Sequence, residues 1–335
     1  MNARRFASTA PQRIVADRRL AALARAMGPA LADALADPLV VEVLVNADGR
    51  VRVDRIGAGI EATNVWLTSG ERETAVRLLA AEARITVTED QPYLAATLPG
   101  SGARVQAMIP PLVAAPTLAI RKRPSAIFTL ADYVRDRIAD PAQAEALRRA
   151  IRERHNIVVA GGTGSGKTTL LNALLAEAEF ASARIIILED TAELQCAGAD
   201  VVQLLTKRAA PQVTMRDLVQ MTLRLRPDRI VVGEVRDAAA LEVLKAWNTG
   251  HPGGLLTIHA NSAADALMRL EDLCIEAGLT SPQRLIRSAV DTVVFMARTP
   301  EGRRIEEIAQ LRAPRTLSCR AARANTDSTF EETSA

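Results

Sequence analysis

The stretch Ile157-Val158-Val159-Ala160-Gly161-Gly162-Thr163-Gly164-Ser165-Gly166-Lys167-Thr168-Thr169 decides how the rest of this chain is read. An apolar run enters a glycine-rich loop, and a helix-forming segment, Leu170 to Ala178, leaves it. The spacing is G-x-x-x-x-G-K-[ST] between a strand and a helix, the context in which such a loop cradles phosphate. Glycines let successive N–H groups turn toward an anion with no Cβ in the way. The helix start adds the positive end of its dipole. Gly161, Gly162, Thr163, Gly164, Ser165, Gly166, Lys167, Thr168 and Thr169 are therefore the expected nucleotide-binding residues. Lys167 would reach the β- and γ-phosphates, and the Thr168 hydroxyl would ligate Mg²⁺.

Downstream of this loop, short apolar runs alternate with helical patterns. Strands are expected at 157–160, 184–188, 201–205, 230–233, 255–258 and 292–297, with helices at 215–224, 238–248 and 263–277. Helices are also expected near 130–138 and 141–154. Alternation of this kind implies right-handed βαβ units and a mainly parallel sheet in an α/β domain. Upstream the pattern differs. Val40–Val45 and Val51–Val53 flank Asp48-Gly49, a hairpin signal. Thr68-Ser69-Gly70-Glu71 is a capping box before a helix reaching about Ala83. Arg104–Ile109 and Thr117–Arg121 read as two more strands. The expected division is a small α+β N-terminal domain over 1–123, with 1–12 a loose tail, a linker at 124–129 around Pro124, the nucleotide-binding domain over 130–313 and a disordered polar tail over 314–335.

The sequence has 335 residues, 48% of them hydrophobic and 24% charged, an ordinary balance for two packed domains. Aromatics are only 3% and the formal net charge is +3, so neither stacking platforms nor a strong cationic field points to direct nucleic-acid binding. Three scattered cysteines, Cys196, Cys274 and Cys319, suggest neither a disulfide framework nor a zinc site, and fit a reducing compartment. No apolar run has the length of a membrane span, so any membrane association is expected to be peripheral. Arg13–Leu35 has helical periodicity with arginines on its polar face, which suits a solvated face or, less readily, acidic lipid headgroups.

Ligands of a parallel sheet lie beyond the carboxyl ends of its strands. Glu189 and Asp190 follow the run Ile185–Leu188, and Glu234 follows Ile230–Val232. The usual Asp-Glu pair at the second place is missing its aspartate, and Gly233 stands there. Asp228 precedes the strand, and six residues of extended chain put it ~20 Å from Glu234. Glu234 is therefore the candidate to orient and deprotonate water, and Glu189 a candidate catalytic acid that meets Mg²⁺ through water. His259, also at a strand end, is placed to sense the γ-phosphate. A zinc site at His251 and His259 lacks further ligands at suitable spacing.

In order, GGTGSGKTT, ILEDTAEL, RLRPDRIVVGEVRD and TGHPGGLLTIHANS resemble the secretion ATPases of type II, type IV and pilus machines. Gly102–Gln106, Ile109-Pro110-Pro111 and Ala119–Lys122 are similar to the type IV branch, in particular its conjugal-transfer members. The four-cysteine zinc module of type II relatives is absent. The resemblance covers about residues 15 to 313. It implies a RecA-like P-loop domain, ATP and Mg²⁺ as ligands, and a homo-hexameric ring at the cytoplasmic face of the inner membrane. The ring would power conjugative type IV secretion with other mating-pair components. It also implies that Arg104 and Arg121 reach the phosphates from the N-terminal domain, a task that suits a bidentate guanidinium. Arg224, Arg226 and Arg236 are further candidates to neutralise charge. A type IV pilus or type II motor, or a nucleotide-gated scaffold of the channel, are the alternatives.

Overall fold

The computed structural model describes residues 28–37, 39–55, 59–98, 102–122, 127–207, 210–299 and 302–311. The expected tails, most of the Arg13–Leu35 helix and Pro124 of the expected linker lie outside these residues.

The N-terminal half builds a six-stranded antiparallel sheet of order β3-β2-β1-β6-β5-β4. Its strands are β1 (Val40–Val45), β2 (Arg50–Arg55), β3 (Gly59–Trp66), β4 (Tyr93–Thr97), β5 (Arg104–Met108) and β6 (Thr117–Arg121). Among the described residues, two helices belong to this half, α1 (Pro29–Ala36) and α2 (Ser69–Ala83). Burial alternates along β2, β5 and β6, as expected of a sheet with one solvated face. Ala75, Val76 and Leu79 of α2 join Val43, Val45, Leu94 and Ile120 in its core. The capping box is present: Thr68 Oγ1 accepts from Glu71 N–H at 3.3 Å, and Glu71 Oε2 accepts from Thr68 N–H at 2.7 Å. The hairpin turn needs its glycine twice over. Gly49 has φ +78°, and a Cβ there would lie 2.4 Å from the Leu67 carbonyl oxygen. The two edge strands, β3 and β4, were not expected, because their sequences alternate too weakly to mark a buried face.

The C-terminal half forms a seven-stranded sheet of order β13-β12-β7-β11-β10-β8-β9. Its strands are β7 (Ile157–Gly161), β8 (Arg184–Glu189), β9 (Asp200–Leu205), β10 (Arg229–Val232), β11 (Leu255–Ile258), β12 (Thr292–Thr299) and β13 (Gly302–Gln310). All neighbours are parallel except the β12–β13 hairpin. Around it lie α3 (Leu130–Arg135), α4 (Pro141–Arg152), α5 (Lys167–Leu175), α6 (Met215–Thr222), α7 (Ala239–Asn248), α8 (Ala263–Glu276) and α9 (Gln283–Ala289). The central strands are buried along their whole length because both faces are covered. Val158, Ile186 and Leu256 pack on one side with Leu244, Trp247 and Leu270. Val159, Ile187 and Leu255 pack on the other with Leu147, Leu170 and Phe180. The α/β architecture expected from the sequence is thus present. Helix α9 and strand β13 were not expected; β13 is polar on its outer face and carries no apolar run.

Parallel register fixes the site. Ala160 pairs with Ile258, Val231 with Leu255, and Val232 with Leu188. Glu189 and Gly233 therefore stand level with Thr257, and Gly161 and His259 lie two residues further on, so the four residues make a stepped line along the carboxyl edge.

Candidate functional site

The glycine loop leaves β7 and enters α5. Gly164 and Gly166 hold φ of +73° and +96°, in the left-handed region that a side chain resists. Gly166 caps α5 without a side-chain hydrogen bond, whereas α2, α3, α4 and α6 each begin with a complete capping box. The first N–H groups of α5 are thus left for a ligand. Lys167 is buried, and its Nζ donates to the carbonyl oxygens of Gly161 at 2.9 Å and Gly162 at 3.0 Å. Burial, then the nearby Arg121 and Arg236, lower its pKa, while Glu234 opposes the shift.

Glu189 is 3% exposed, and both its carboxylate oxygens are engaged. Oε1 accepts from the Glu193 and Leu194 N–H groups at 2.9 and 2.8 Å, and Oε2 from Gln203 Nε2 at 2.6 Å. This carboxylate folds the segment 190–194 back over the strand ends. Burial raises its pKa, against these donors. Gly233 packs closely on this acid: a Cβ there would lie 3.0 Å from Glu189 Cγ, so a side chain at 233 would crowd Glu189.

Glu234 faces the same cleft. Its Oε2 accepts from Arg236 Nε at 2.7 Å and from Arg236 Nη2, and its Oε1 lies 2.8 Å from His259 Nε2. His259 Nε2 is also 3.5 Å from Lys167 Nζ. Burial lowers the His259 pKa, Lys167 lowers it further, and Glu234 works the other way. The pairing with Glu234 raises the Arg236 pKa. Arg236 Nη1 stands 3.8 Å from Asp190 Oδ2.

The antiparallel sheet closes the cleft from above. Arg104 Nη1 contacts Glu193 Oε1 at 2.9 Å, and Arg104, Thr168, Glu193, Glu234 and Arg236 line one cleft. Arg104 and Arg121 are directly opposed across β5 and β6. Each also has a carboxylate beside it, Glu193 for Arg104 and Glu42 of β1 for Arg121. Arg224 and Arg226 are not at this rim; they precede β10, at the other end of the strand from Glu234. Asp228 is there too, its Oδ2 accepting from the Arg184 N–H at 2.8 Å. His251 Nδ1 stands 3.2 Å from the Ala246 carbonyl oxygen, away from the row.

A family described as "Type II/IV secretion system protein" matches residues 33–329. The chain belongs to this secretion family. It is 46% identical over 284 residues to "Conjugal transfer protein TrbB" of Rhizobium radiobacter, covering 84% of this chain and 87% of that protein. It is 30% identical over 281 residues to "Type IV secretion system protein VirB11" of Bartonella henselae, covering 72% and 78%. In fold it is similar to the Legionella pneumophila ATPase DotB, with a TM-score of 0.62 at 20% identity, covering 93% of this chain and 84% of that one.

Within the secretion-family fold, sequence reasoning missed several residues of the site. Glu193 and Gln203 are found only through their contacts with Arg104 and Glu189. On the far side of the glycine loop, Arg303 Nε donates to the Gly164 carbonyl oxygen at 2.9 Å. Arg298 sits beside it, with Nη1 3.6 Å from the position a Cβ on Gly164 would take. Neither arginine belongs to a motif; only the β12–β13 pairing brings them to the loop.

The donor set suits a hard cation held mainly by phosphate and water. Thr168 offers one hydroxyl, Glu189 is engaged by N–H donors, and Gly233 has no side chain. Among the described residues, no group of three His, Cys, Asp or Glu side chains forms a metal cage. Mg²⁺ at phosphate sites is bound in that sparse manner.

Proposed function

We propose that this chain is an ATP-hydrolysing motor of a conjugative type IV secretion system. The uncapped α5 behind the glycine loop carries the reading, with Lys167 at its start and Glu234, His259 and Arg104 facing it. Its likeness to conjugal-transfer and VirB11 proteins supports the machine assigned to it. In this reading the loop and the α5 N–H groups bind the phosphates, and Lys167 exchanges its two carbonyl partners for the β- and γ-oxygens. Arg104 and Arg121 offset γ-phosphate charge from the N-terminal sheet. Arg236 is the third arginine, and its bond to Glu234 competes with the incoming anion. Release of that carboxylate lets Glu234 orient and deprotonate the attacking water. Glu189 sets the 190–194 segment and, through water, the metal side of the cleft. Thr168 would hold a bound Mg²⁺, which would supply charge neutralisation at the phosphates.

The same reading takes residues 1–123 and 130–313 as two domains whose clamp, through Arg104, relaxes when the γ-phosphate leaves. It places the chain in a homo-hexamer with other secretion components, peripheral to the inner face of the membrane. No helix among the described residues is long and apolar enough to cross a membrane. Lys167→Ala is expected to abolish ATP turnover. Glu234→Gln is expected to bind ATP and to hydrolyse it roughly 10²–10⁴-fold more slowly. Both are expected to stop plasmid transfer in mating assays. Transfer that continues with Glu234→Gln would leave a nucleotide-gated scaffold in place of the motor.

A further inference from the structure

The order of strands gives the cleft a direction. Glu234, His259 and Lys167 converge over β10 and β11, on one side of β7. If the loop cradles a triphosphate, these groups mark its γ end. The other end must then leave on the opposite side of β7, which is the β12–β13 side. Strand β12 runs parallel to β7, with Met296 beside Gly161, so Arg298 and Thr299 project past the start of the loop.

Two arginines meet at that end. Arg298 and Arg303 are direct cross-strand partners in the hairpin. Directly opposed like charges destabilise a strand pair, and among the described residues no acidic side chain pairs with either. Both are nevertheless drawn to the same place. Arg303 spends Nε on the Gly164 carbonyl oxygen, which keeps both Nη groups for another acceptor. Its Cδ lies 3.2 Å from where a Cβ on Gly166 would be, so glycine at 166 admits the side chain. Arg298 fits between Gly164 and Gly59 of β3, with Nη1 and Nη2 3.6 and 3.5 Å from the Cβ positions those glycines lack. It therefore lies beside both the loop and the N-terminal sheet. Arg104 and Arg121 oppose each other across two strands in the same way, but there Arg104 is paired with Glu193.

From this geometry we infer that Arg298 and Arg303 form a second anion site, which takes the α-phosphate at the nucleoside end of the bound nucleotide. The inference rests on the loop binding a nucleoside triphosphate. The α-phosphate is common to ATP and ADP, so the site holds nucleotide before and after hydrolysis. The γ-side arginines, in contrast, lose their ligand when phosphate leaves.

Equilibrium binding of fluorescent ADP and of a non-hydrolysable ATP analogue to the full chain tests this. Wild type is compared with Arg298→Ala, Arg298→Lys, Arg303→Ala and Lys167→Ala. Arg298→Ala is expected to weaken both nucleotides by the same factor, roughly tenfold, with partial recovery in Arg298→Lys and a melting temperature that does not fall. In turnover, KM for ATP should rise by that factor and kcat should fall less than twofold. Unchanged binding of both nucleotides would overturn the inference. So would a loss confined to the ATP analogue, because that would put the contact at the γ end. Arg303→Ala also removes the contact with the loop, so Arg298→Ala is the deciding variant. If Lys167→Ala binds both nucleotides as wild type does, the loop itself has been misread, and the second site falls with it for that separate reason.

Discussion

The two sheets put their arginines and their acids to work under opposite constraints. In the parallel sheet, helices cover both faces, so polar chemistry is confined to the strand ends, where Glu189, Glu234 and His259 sit. In the antiparallel sheet, one face is left partly open, so Arg104 can stand at a strand end and still reach across to Glu193 of another element. The buried sheet thus supplies fixed positions, and the half-solvated sheet supplies a charge, Arg104, that meets them across the cleft. The proposed motor would use both kinds of part.

The contrast can be broken most severely in the buried sheet. Ile187→Asp puts an unpaired carboxylate between two covered faces and is expected to cost at least about 4 kcal/mol, seen as failure to fold or a collapsed denaturation midpoint. Ala95→Asp on the exposed face of β4 is expected to cost about 1 kcal/mol or less. Equal losses at the two sites would mean that the antiparallel sheet is not open on that face. A smaller effect is expected where the sheets meet. Arg104→Ala removes a contact of partly exposed groups and should change stability by less than about 1 kcal/mol. It should raise KM for ATP roughly tenfold if the guanidinium reaches phosphate; an unchanged KM would reduce Arg104 to a structural tie with Glu193. The smallest effect sharpens the difference between capped and uncapped helices. Thr68→Ala should cost about 1 kcal/mol and speed amide exchange in the first turn of α2. Those of α5, which has no side-chain cap to lose, should not change.

How much was legible follows the same division. Fully buried parallel strands are continuous apolar runs, so β7, β8, β10 and β11 could be read almost to the residue. The strand-end rule then picked out Glu189, Glu234 and His259, and the structure does bring Glu234 and His259 within 2.8 Å. Edge strands β3, β4 and β13 escaped because few of their residues are buried, so no apolar pattern marks them. The engagement of Glu189 by Glu193, Leu194 and Gln203 escaped for another reason: it depends on how the 190–194 segment folds, and no spacing encodes that.

By itself the sequence determined the glycine loop, the parallel α/β sheet behind it and the row of strand-end residues. These follow from local spacing and from periods set by the backbone. Only the tertiary structure decided that Gly233 packs closely on Glu189, which arginine bonds Glu234, and that Arg298 and Arg303 flank the loop. Each of these depends on atoms brought together from strands and loops distant in the chain, where a single missing Cβ or one turn of register sets the outcome.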